Sequence, residues 1–447
     1  MATTADDTRS RSAGISYQEL IANDVVAPPA PLTWENPLDV PITSVPVTRY
    51  TTQAFYDLEM RDLWPRVWQM ACREEEIPNV GDYTLYEIGH HSIIVVRTQQ
   101  GIRAHHNVCR HRGRKLVDFD GHAASFICPF HGFSWNIDGS SRGVTSEWDF
   151  PHIDRKNFTL TPARAETWGG WVFVNMDMEA ASLASFIGDL PTHFAPWSPE
   201  NRYIEAHVGK VMKCNWKLCQ EAFMEALHVL TTHPQILSGI GDENSQYDAW
   251  DNFSRAITPN GTPSPHLRSA PSEQEMFDSI TMRALDDPPN SKVPESTTAR
   301  AMMAAAARAG LQPIVGDDVP IADAEVADSI YYTLFPNFHP WGGYNRIVYR
   351  FRPWQNRFDR SLMECYYLSP FAGDRPDPAP LHLLGEDDPW TDAPELGLLA
   401  KVFTQDTFNL PQVQAGLMAA QYDEIFLARY QETKLRHFHH LLGQWLR

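Results

Sequence analysis

Four metal-binding side chains in two short segments constrain this chain more than any other feature. The segments NVCRHRG and ICPFHGFSW place Cys109 two positions before His111, and Cys128 three positions before His131. Around them, from about residue 82 to 171, apolar residues alternate as in strands, with turn residues between the runs. The sequence therefore predicts a small β-domain with two loops, each of which carries one cysteine and one histidine.

Two kinds of metal centre use this set of ligands. Iron–sulfur clusters are normally held by four thiolates, and two neutral imidazoles on one iron raise the reduction potential. In a [2Fe–2S] cluster, Cys109 and Cys128 would bind one iron, and His111 and His131 the other. Tetrahedral zinc is the alternative, but zinc fingers usually pair Cys with Cys and His with His at longer spacing. The observed order, with a glycine just beyond each pair, favours a Rieske-type cluster.

A second set of candidate ligands follows about 100 residues later, in NWKLCQEAFMEALHVLTTHPQ. Residues 216–228 are predicted to form a helix on which Glu225 and His228 share a face, and His233 follows where that helix ends before a proline. Two imidazoles and a carboxylate on one face of Fe(II) leave positions open for O₂ and substrate. We take Asp406, predicted to open a C-terminal helix, as the carboxylate. The alternatives are ordinary helix histidines and an aspartate that only caps its helix.

The chain divides into three predicted parts. Residues 1–47, rich in Pro, Ala and Thr, are expected to form an extended arm, and 48–180 a β-domain with a leading helix over Thr52–Trp68. Residues 181–447 are expected to form a mixed domain with a loop-rich stretch at about 255–325. The strands predicted there span 203–213, 328–354 and 360–371, and the helices span 298–309, the segment from about Asp406, and 427–446. The predicted fold class is α+β.

Composition argues against several classes of function. The formal charge of −19 is unsuited to nucleic acid, whose phosphates require a basic surface. No stretch approaches the roughly 18–20 uninterrupted apolar residues of a membrane span, and the N-terminus lacks the apolar core of a secretory signal, so a cytoplasmic protein without membrane contact is expected. Six cysteines are too few for a disulfide framework in 447 residues. Those outside the two segments are expected to be thiols: Cys72, Cys214, Cys219 and Cys365.

Together these residues resemble the catalytic α subunits of the Rieske non-haem iron ring-hydroxylating oxygenases. The resemblance runs from LWPRVWQMACREEEIPNVGDY at 63–83 to the segment around Asp406. It is weakest in the N-terminal arm and at 255–325. It implies an all-β Rieske domain followed by a helix-grip (START-like) catalytic domain with an antiparallel sheet. The ligands it implies are Cys109, His111, Cys128 and His131 for the [2Fe–2S] cluster, and His228, His233 and Asp406 for the mononuclear Fe(II).

The resemblance also implies an activity and partners. Such subunits are terminal oxygenases that use O₂, and electrons passed from NAD(P)H by a flavin reductase or ferredoxin, to hydroxylate an aromatic or other hydrophobic substrate, often in aromatic hydrocarbon catabolism. They assemble head to tail as α₃ trimers, or as α₃β₃ with a β subunit. Glu225 matches the carboxylate that links a cluster histidine of one subunit (here His131) to an iron-binding histidine of the next (here His228).

Two positions depart from the most common pattern of the family. Many dihydroxylating members have Asp at the position of Glu225, whereas several monooxygenating or demethylating members have Glu, and Ala222 replaces a common Asn. Dioxygenation is the first expectation. The departures keep open a Rieske monooxygenase or demethylase that acts on a methyl ether, a quaternary amine, or a terpenoid or steroid-like molecule.

Alternatives from other classes are less consistent with the sequence. A pure Rieske electron-transfer protein needs only the small β-domain, and a metal-dependent hydrolase at His228 and His233 would act without O₂ or a reductant. Glu221 is expected either to orient a metal ligand or to lie on a helix surface. The basic residues of the first cluster loop are expected either to attract an acidic ferredoxin or to form ion pairs between subunits. They are Arg110, Arg112, Arg114 and Lys115.

Overall fold

The N-terminal arm is only partly extended. The computed structural model describes residues 14–38, 40–283, 285 and 291–447, so residues 1–13 and 39 of the predicted arm lie outside it. Gln18 Nε2 donates to Gln246 Oε1 at 2.8 Å, and Arg255 donates to the Trp34 carbonyl at 2.7 Å. The arm therefore packs against the second half of its own chain. Its elements are α1 (Tyr17–Ile21), α2 (Ala30–Thr33) and β1 (Ser44–Pro46).

Two helices precede the first sheet, α3 (Thr48–Thr51) and α4 (Gln53–Asp62). Thr52 caps α4, because its Oγ1 accepts a hydrogen bond from the Phe55 N–H at 3.3 Å. The prediction of a helix that continues to Trp68 is wrong in its second half. Pro65 disfavours helical geometry in the residue before it and has no N–H to donate, so the chain turns after Asp62.

Ten strands between Gln69 and Asn175 form two antiparallel sheets. One has seven strands in the order β2-β11-β10-β5-β4-β3-β6, and the other has the order β7-β8-β9. Strands β3 and β4 form an antiparallel hairpin, which pairs from Tyr83–Val96 to Ile88–His91. In chain order the strands are β2 (Gln69–Arg73), β3 (Asp82–Ile88), β4 (His91–Thr98), β5 (Gly101–His106), β6 (Gly121–His122), β7 (Ser125–Ile127), β8 (Ser134–Asn136), β9 (Ser141–Gly143), β10 (Pro162–Trp168) and β11 (Trp171–Asn175).

The second half of the chain is built on an eight-stranded sheet. Its order is β13-β14-β15-β16-β17-β18-β12-β19, and neighbours are antiparallel except the parallel pair β12–β19. The α+β prediction with antiparallel sheets is confirmed. The strands are β12 (Arg202–Met212), β13 (Gln246–Ala249), β14 (Phe253–Thr258), β15 (Ser329–Leu334), β16 (Phe338–Pro340), β17 (Ile347–Pro353), β18 (Ser361–Pro370) and β19 (Leu381–Leu384).

Helices cover this sheet and connect its strands. The predicted helix at 298–309 is confirmed and continues to Val315, whereas the last helix begins at Thr433 rather than near Leu427. No helix within the described ranges has the length and apolar character needed to cross a bilayer. The remaining elements are α5 (Leu183–Ile187), α6 (Leu190–Phe194), α7 (Trp216–Glu221), α8 (Val229–Thr232), α9 (Glu273–Ile280), α10 (Ala299–Val315), α11 (Asp323–Ala327), α12 (Leu398–Phe408), α13 (Leu410–Met418), β20 (Glu424–Phe426), which pairs with β1, and α14 (Thr433–Trp445).

A buried arginine connects the two larger sheets. Arg350 on β17 forms a two-point ion pair with Glu364 on β18, at 2.6 and 2.7 Å. Its third nitrogen donates to the carbonyls of Met70 and Ala71 on β2, at 3.1 and 2.5 Å. Burial lowers the pKa of Arg350, but Glu364 outweighs it and raises the pKa well above its ordinary value, so the guanidinium stays charged. Apolar residues of both sheets form one continuous core around this link.

Candidate metal centres and substrate cavity

The two cysteine loops have the same backbone conformation. In each loop the cysteine N–H donates to the carbonyl five residues later at 2.8 Å, and the glycine four residues after the cysteine donates back to the cysteine carbonyl at 2.9 Å. These glycines, Gly113 and Gly132, have φ of +77° and +75°, a conformation that side chains disfavour. The glycine just beyond each Cys/His pair is therefore required by the turn that presents Cys109 and Cys128.

The four predicted cluster ligands lie together at this point. The rings of His111 and His131 are 4.6 Å apart between centroids, and the thiols of Cys109 and Cys128 are within hydrogen-bonding reach of each other. Burial raises the pKa of the Cys109 thiol, although the N–H groups of His111 and Arg112 point at its sulfur and oppose this shift. Burial also acts to raise the pKa of Cys128, but its neighbours, among them the N–H groups of Phe130 and His131, outweigh burial and lower it. Both thiols are buried and both rings are half-buried. This donor set of two thiols and two imidazoles fits a [2Fe–2S] cluster.

Each basic residue of the first cluster loop has a partner in its own domain. The contacts are hydrogen bonds of 3.0 Å, ion pairs of 2.9 and 2.7 Å, and a guanidinium 5.0 Å from a ring centroid. These contacts do not decide between the two roles expected for the basic residues. Attraction of an acidic ferredoxin and ion pairing between subunits both stay predictions. The partners are the Asn157 and Thr159 carbonyls for Arg110, the Phe130 ring for Arg112, Asp118 for Arg114 and Glu87 for Lys115.

The second set of predicted ligands converges below the eight-stranded sheet. Asp406 Oδ1 lies 2.5 Å from His233 Nε2 and 3.6 Å from His228 Nε2, and the three ligand atoms are within 4.8 Å of one another. The Asp406 and His233 side chains are almost fully buried, whereas 27% of the His228 side chain is exposed. Two imidazole nitrogens and one carboxylate oxygen that face one point are a donor set suited to Fe(II).

The prediction of a continuous helix up to His228 is wrong. Helix α7 ends at Glu221, and residues 222–228 form an irregular segment with turns before α8. The Ala226 N–H donates to the Tyr247 hydroxyl at 3.0 Å, and the His228 N–H donates to Glu225 Oε2 at 3.1 Å. These bonds replace the intrahelical bonds that the N–H groups would otherwise make. Glu225 and His228 remain in contact through a hydrogen bond rather than through a shared helix face.

Asp406 lies in the last turn of α12, so the prediction that it opens a helix is wrong, as is the alternative that it caps one. The helix begins after Gly397, whose φ is +55°. Its register is set by Ala400, Phe403 and Thr407, which are buried. The apolar residues ahead of Asp406 thus belong to the same helix and carry the carboxylate into the site.

Two acceptors fix the tautomers of the histidines. His228 Nδ1 is 2.8 Å from Glu225 Oε1, and His233 Nδ1 is 3.0 Å from Gln405 Oε1. Each Nδ1–H donates to its oxygen, so Nε2 is the nitrogen of each ring that faces Asp406 and would bind a metal ion. Gln405 is not among the residues predicted from the sequence, where its adjacency to Asp406 is the only signal for it.

The electrostatics of this site favour a cation. Burial lowers the pKa of His228, but Glu225 and Asp406 outweigh it and raise the pKa to about 10. Two carboxylates around two imidazoles therefore favour added positive charge, which a divalent metal ion would supply at the Nε2 atoms.

Glu221 neither contacts a predicted metal ligand nor lies on an exposed helix surface, so both expectations for it are wrong. It is 8% exposed at the end of α7, where it accepts hydrogen bonds from Tyr50 at 3.1 Å and from His439 Nε2 at 2.9 Å. Burial raises the pKa of Glu221 to about 8. Its contacts tie α7 to α3 and α14, and neither contact is with His228 or His233.

A cavity of about 940 Å³ opens beside the second set of ligands. His228, His233 and Glu225 line it, as do Glu205 and Arg346, which are 40% and 47% exposed and mark its mouth. Helix α10, in the stretch predicted to be loop-rich, contributes one wall with a stripe at helical spacing. The aromatic lining from the sheet is Tyr331, Trp341, Tyr349 and Tyr367, and the α10 stripe is Met303, Ala307, Gly310, Leu311 and Ile314.

Comparison with protein families gives two matches. The family described as "Ring hydroxylating alpha subunit (catalytic domain)" matches residues 192–447, and the "Rieske [2Fe-2S] domain" family matches residues 67–151. Among curated proteins, the glycine betaine monooxygenase oxygenase subunit of Pseudomonas aeruginosa is 30% identical over 196 residues, 43% of this chain and 46% of that protein. The chlorobenzene dioxygenase α subunit of a Cupriavidus species is 33% identical over 203 residues, 43% of this chain and 45% of that protein. These matches span about half the length of the curated relatives.

Solved structures share the fold over nearly the whole chain. A quaternary ammonium Rieske monooxygenase, described in connection with carnitine oxidation by gut microbiota, aligns with a TM-score of 0.63 at 18% identity, over 91% of this chain and 96% of its own. A naphthalene 1,2-dioxygenase variant bound to phenanthrene aligns with a TM-score of 0.63 at 19% identity, over 90% and 92%. Both monooxygenases and dioxygenases thus have this fold.

Proposed function

The chain belongs to the ring-hydroxylating α-subunit family, with a Rieske domain ahead of its catalytic domain, and on that premise we propose that it is the terminal oxygenase of a Rieske non-haem iron system. The observation that supports this most strongly is the convergence of His228, His233 and Asp406 beside a cavity large enough for an organic substrate. A pure electron carrier has no use for either feature.

The proposed metal ligands are those predicted from the sequence. Once bound, the cluster stores an electron and the mononuclear iron supplies the oxygen chemistry. Cys109 and Cys128 hold one iron of the cluster as thiolates, and His111 and His131 hold the other. His228, His233 and Asp406 hold the mononuclear iron, and the hydrogen bonds that the two imidazoles donate to Glu225 and Gln405 keep both rings in the tautomer that binds metal.

Glu225 is proposed to connect two subunits. Both of its oxygens accept hydrogen bonds from His228, and 10% of its side chain is exposed. In a head-to-tail trimer, the exposed edge of this carboxylate would accept a hydrogen bond from His131 of the neighbouring subunit. Electrons would pass from NAD(P)H through a reductase, or through a reductase and a ferredoxin, to the cluster, and across Glu225 to the mononuclear site.

The proposed substrate is an aromatic or other hydrophobic molecule, and dioxygenation is the first expectation. A second candidate activity, monooxygenation or demethylation, is supported by the glutamate at position 225 and by relatives named for glycine betaine and carnitine. In either case the same residues bind substrate, exclude bulk water and orient it beside the three metal ligands.

One turnover with labelled oxygen tests this proposal. Chemically reduced holoenzyme is exposed to ¹⁸O₂ with naphthalene, biphenyl, a methyl aryl ether and carnitine, and the products are weighed. Two labelled atoms in one product indicate dioxygenation, whereas one labelled atom or release of formaldehyde indicates the second candidate activity. The Asp406→Ala variant, with its cluster intact, serves as the matched control and should give no product. Unlabelled products, or equal product from the control, would refute an oxygenase at this site.

A further inference from the structure

A tyrosine on the eight-stranded sheet holds the segment that carries Glu225. Resting on the proposed function, we propose that Tyr247 is a positioning residue for the electron bridge, because its hydroxyl fixes the peptide unit from which the Glu225 side chain projects. Tyr247 is in turn oriented by a chain of buried hydroxyls that runs along the cavity wall. It lies outside the described lining of the cavity itself. Its role therefore concerns the route of the electron rather than substrate binding.

Residues 222–228 carry Glu225 between two short helices. At the start of this segment the Phe223 N–H donates to the carbonyl three residues earlier at 2.9 Å, and near its end the Ala226 carbonyl accepts from the N–H three residues later at 3.2 Å. The Ala226 N–H instead reaches a distant strand, where it donates to the Tyr247 hydroxyl at 3.0 Å. Because the peptide bond is planar, this N–H has a fixed direction relative to the Cα atom of Glu225. The bond therefore restricts rotation of the peptide unit that begins at Glu225.

Tyr247 is itself held firmly in the sheet. It lies on β13, opposite Ala256 of β14, and is 1% exposed. Its N–H donates to the Tyr430 hydroxyl at 3.2 Å, and its ring packs edge-on against the Tyr430 ring, with centroids 5.4 Å apart. A hydroxyl on a ring that is fixed in this way has little freedom to follow a moving donor. Tyr247 thus gives the segment a fixed point of attachment.

A chain of hydroxyls continues from Tyr247 along the cavity wall. The hydroxyls of Tyr247 and Tyr331 are within hydrogen-bonding reach of each other. The Tyr331 hydroxyl lies 3.2 Å from Thr258 Oγ1, which lies 2.7 Å from Ser245 Oγ. The Ser245 hydroxyl donates to the Asp242 carbonyl at 2.7 Å, where the chain ends. All five residues are buried, so water cannot readily replace one of these partners.

The two ends of the chain set the direction of every hydrogen in it. A backbone N–H can only donate, and a carbonyl can only accept. Ser245 therefore donates to the carbonyl and accepts from Thr258. Thr258 in turn accepts from Tyr331, and Tyr331 accepts from Tyr247. Burial raises the pKa of both tyrosines, so both keep the proton that they donate. The Tyr247 oxygen is left to accept the backbone N–H, and each bond of such a chain strengthens its neighbours.

Loss of the Tyr247 hydroxyl would release this peptide unit. Ala226 is 3% exposed, so its N–H would be buried without an acceptor, which is unfavourable. The unit is then expected to turn toward another acceptor and to carry Glu225 away from its place between the subunits. A misplacement of about 1 Å can slow a reaction about 100-fold, and a smaller movement is expected here, so we expect transfer to slow about 10-fold. The three proposed iron ligands lie outside this peptide unit, so the iron should be retained.

Electron transfer without substrate tests the proposal. The holoenzyme is oxidised chemically, so that the mononuclear iron is Fe(III), and a flash with a deazaflavin photoreductant then reduces part of the clusters. Recovery of the visible absorption of the oxidised cluster measures passage of the electron to Fe(III). Tyr247→Phe should slow this recovery about 10-fold at wild-type iron and cluster content.

Tyr332→Phe is the matched control. Tyr332 is buried, and its hydroxyl lies 3.1 Å from His193 Nδ1. It follows Tyr331 on β15, so its side chain points to the opposite face of the sheet. The control therefore loses one buried hydroxyl, as Tyr247→Phe does, but should transfer the electron at the wild-type rate. Tyr331→Phe removes only the acceptor of the Tyr247 proton and should slow transfer less, by about threefold.

Amide hydrogen exchange gives a readout that does not depend on the metals. Residues 222–228 should exchange roughly 10-fold faster in Tyr247→Phe, measured by mass spectrometry, and at the wild-type rate in Tyr332→Phe. Faster exchange with unchanged electron transfer would overturn the positioning role, and unchanged exchange would overturn the bond on which it rests. Loss of iron or cluster from Tyr247→Phe, or wild-type transfer in Tyr331→Phe where Tyr247→Phe does not fold, would also overturn it. Absence of transfer in the wild type would instead refute the bridge across Glu225, and with it the proposed function.

Discussion

Replacement of Gln405 by leucine removes one hydrogen-bond acceptor from the triad and leaves all three proposed ligands in place. Gln405 Oε1 lies 3.0 Å from His233 Nδ1, and 6% of the His233 side chain is exposed, so water cannot readily replace the lost acceptor. The bond holds the proton on Nδ1 and thereby leaves Nε2, 2.5 Å from Asp406, free to bind metal. Without it, the other tautomer and other ring orientations compete with the binding one.

The size of the effect follows from the burial of this bond. A buried donor left without an acceptor costs about 1–3 kcal/mol. Loss of the outer hydrogen bond of a metal-binding histidine typically weakens metal binding about 10- to 100-fold, which is about 1.4–2.7 kcal/mol. The two ranges overlap, so we expect Fe(II) affinity to fall by roughly 10- to 100-fold in Gln405→Leu.

Competition with a chelator of known affinity measures this change. The amount of mononuclear Fe(II) that the variant retains is compared with the amount that the wild type retains. The two samples are matched in cluster content, which is measured from the visible absorption of the cluster. Gln412→Leu on α13, an exposed glutamine close in sequence, is the matched control and should bind iron as the wild type does. Gln405→Glu keeps an acceptor and should also retain iron. Wild-type affinity in Gln405→Leu would refute the role of this hydrogen bond.

Three further predictions concern Glu225, Cys128 and the buried ion pair between Glu59 and Lys217. Glu225→Gln should retain cluster and iron but lower product formed in one turnover by about 10- to 100-fold, and full product would contradict its proposed role. Cys128→Ala should lose the cluster absorption and the acid-labile sulfide, whereas Cys365→Ala, a buried thiol elsewhere, should keep both. Glu59→Leu leaves the buried Lys217 ammonium, 2.7 Å from Glu59 in the wild type, without its partner. It should lower the free energy of unfolding by about 3–5 kcal/mol in urea titrations, and the added Lys217→Met should restore most of it.

The convergence of the four side chains of the two cysteine loops was predictable, because the residues that shape each loop are adjacent in the sequence. Each cysteine loop contains its Cys, its His and the glycine that its turn requires, so the spacing of residues 109–113 and 128–132 suffices. Strands with regular alternation, such as those at 82–98 and 202–212, were predictable for the same reason.

Contacts between distant segments explain what was not predictable. The helix before His228 ends at Glu221, and the Ala226 N–H beyond it donates to the Tyr247 hydroxyl, a long-range bond that local helix propensity cannot indicate. Gln405 is recognisable only once α12 is placed against His233. The cavity draws its wall from the eight-stranded sheet and from α10, which no spacing in the sequence relates to each other.

The ratio of iron to acid-labile sulfide in the purified holoenzyme tests the central claim most directly. A Rieske cluster together with a mononuclear iron gives about three irons and about two sulfides per chain. Asp406→Ala should lower the iron to about two and leave the sulfide unchanged. About two irons and two sulfides in the wild type, or iron that Asp406→Ala does not remove, would contradict the mononuclear centre and with it the proposed oxygenase.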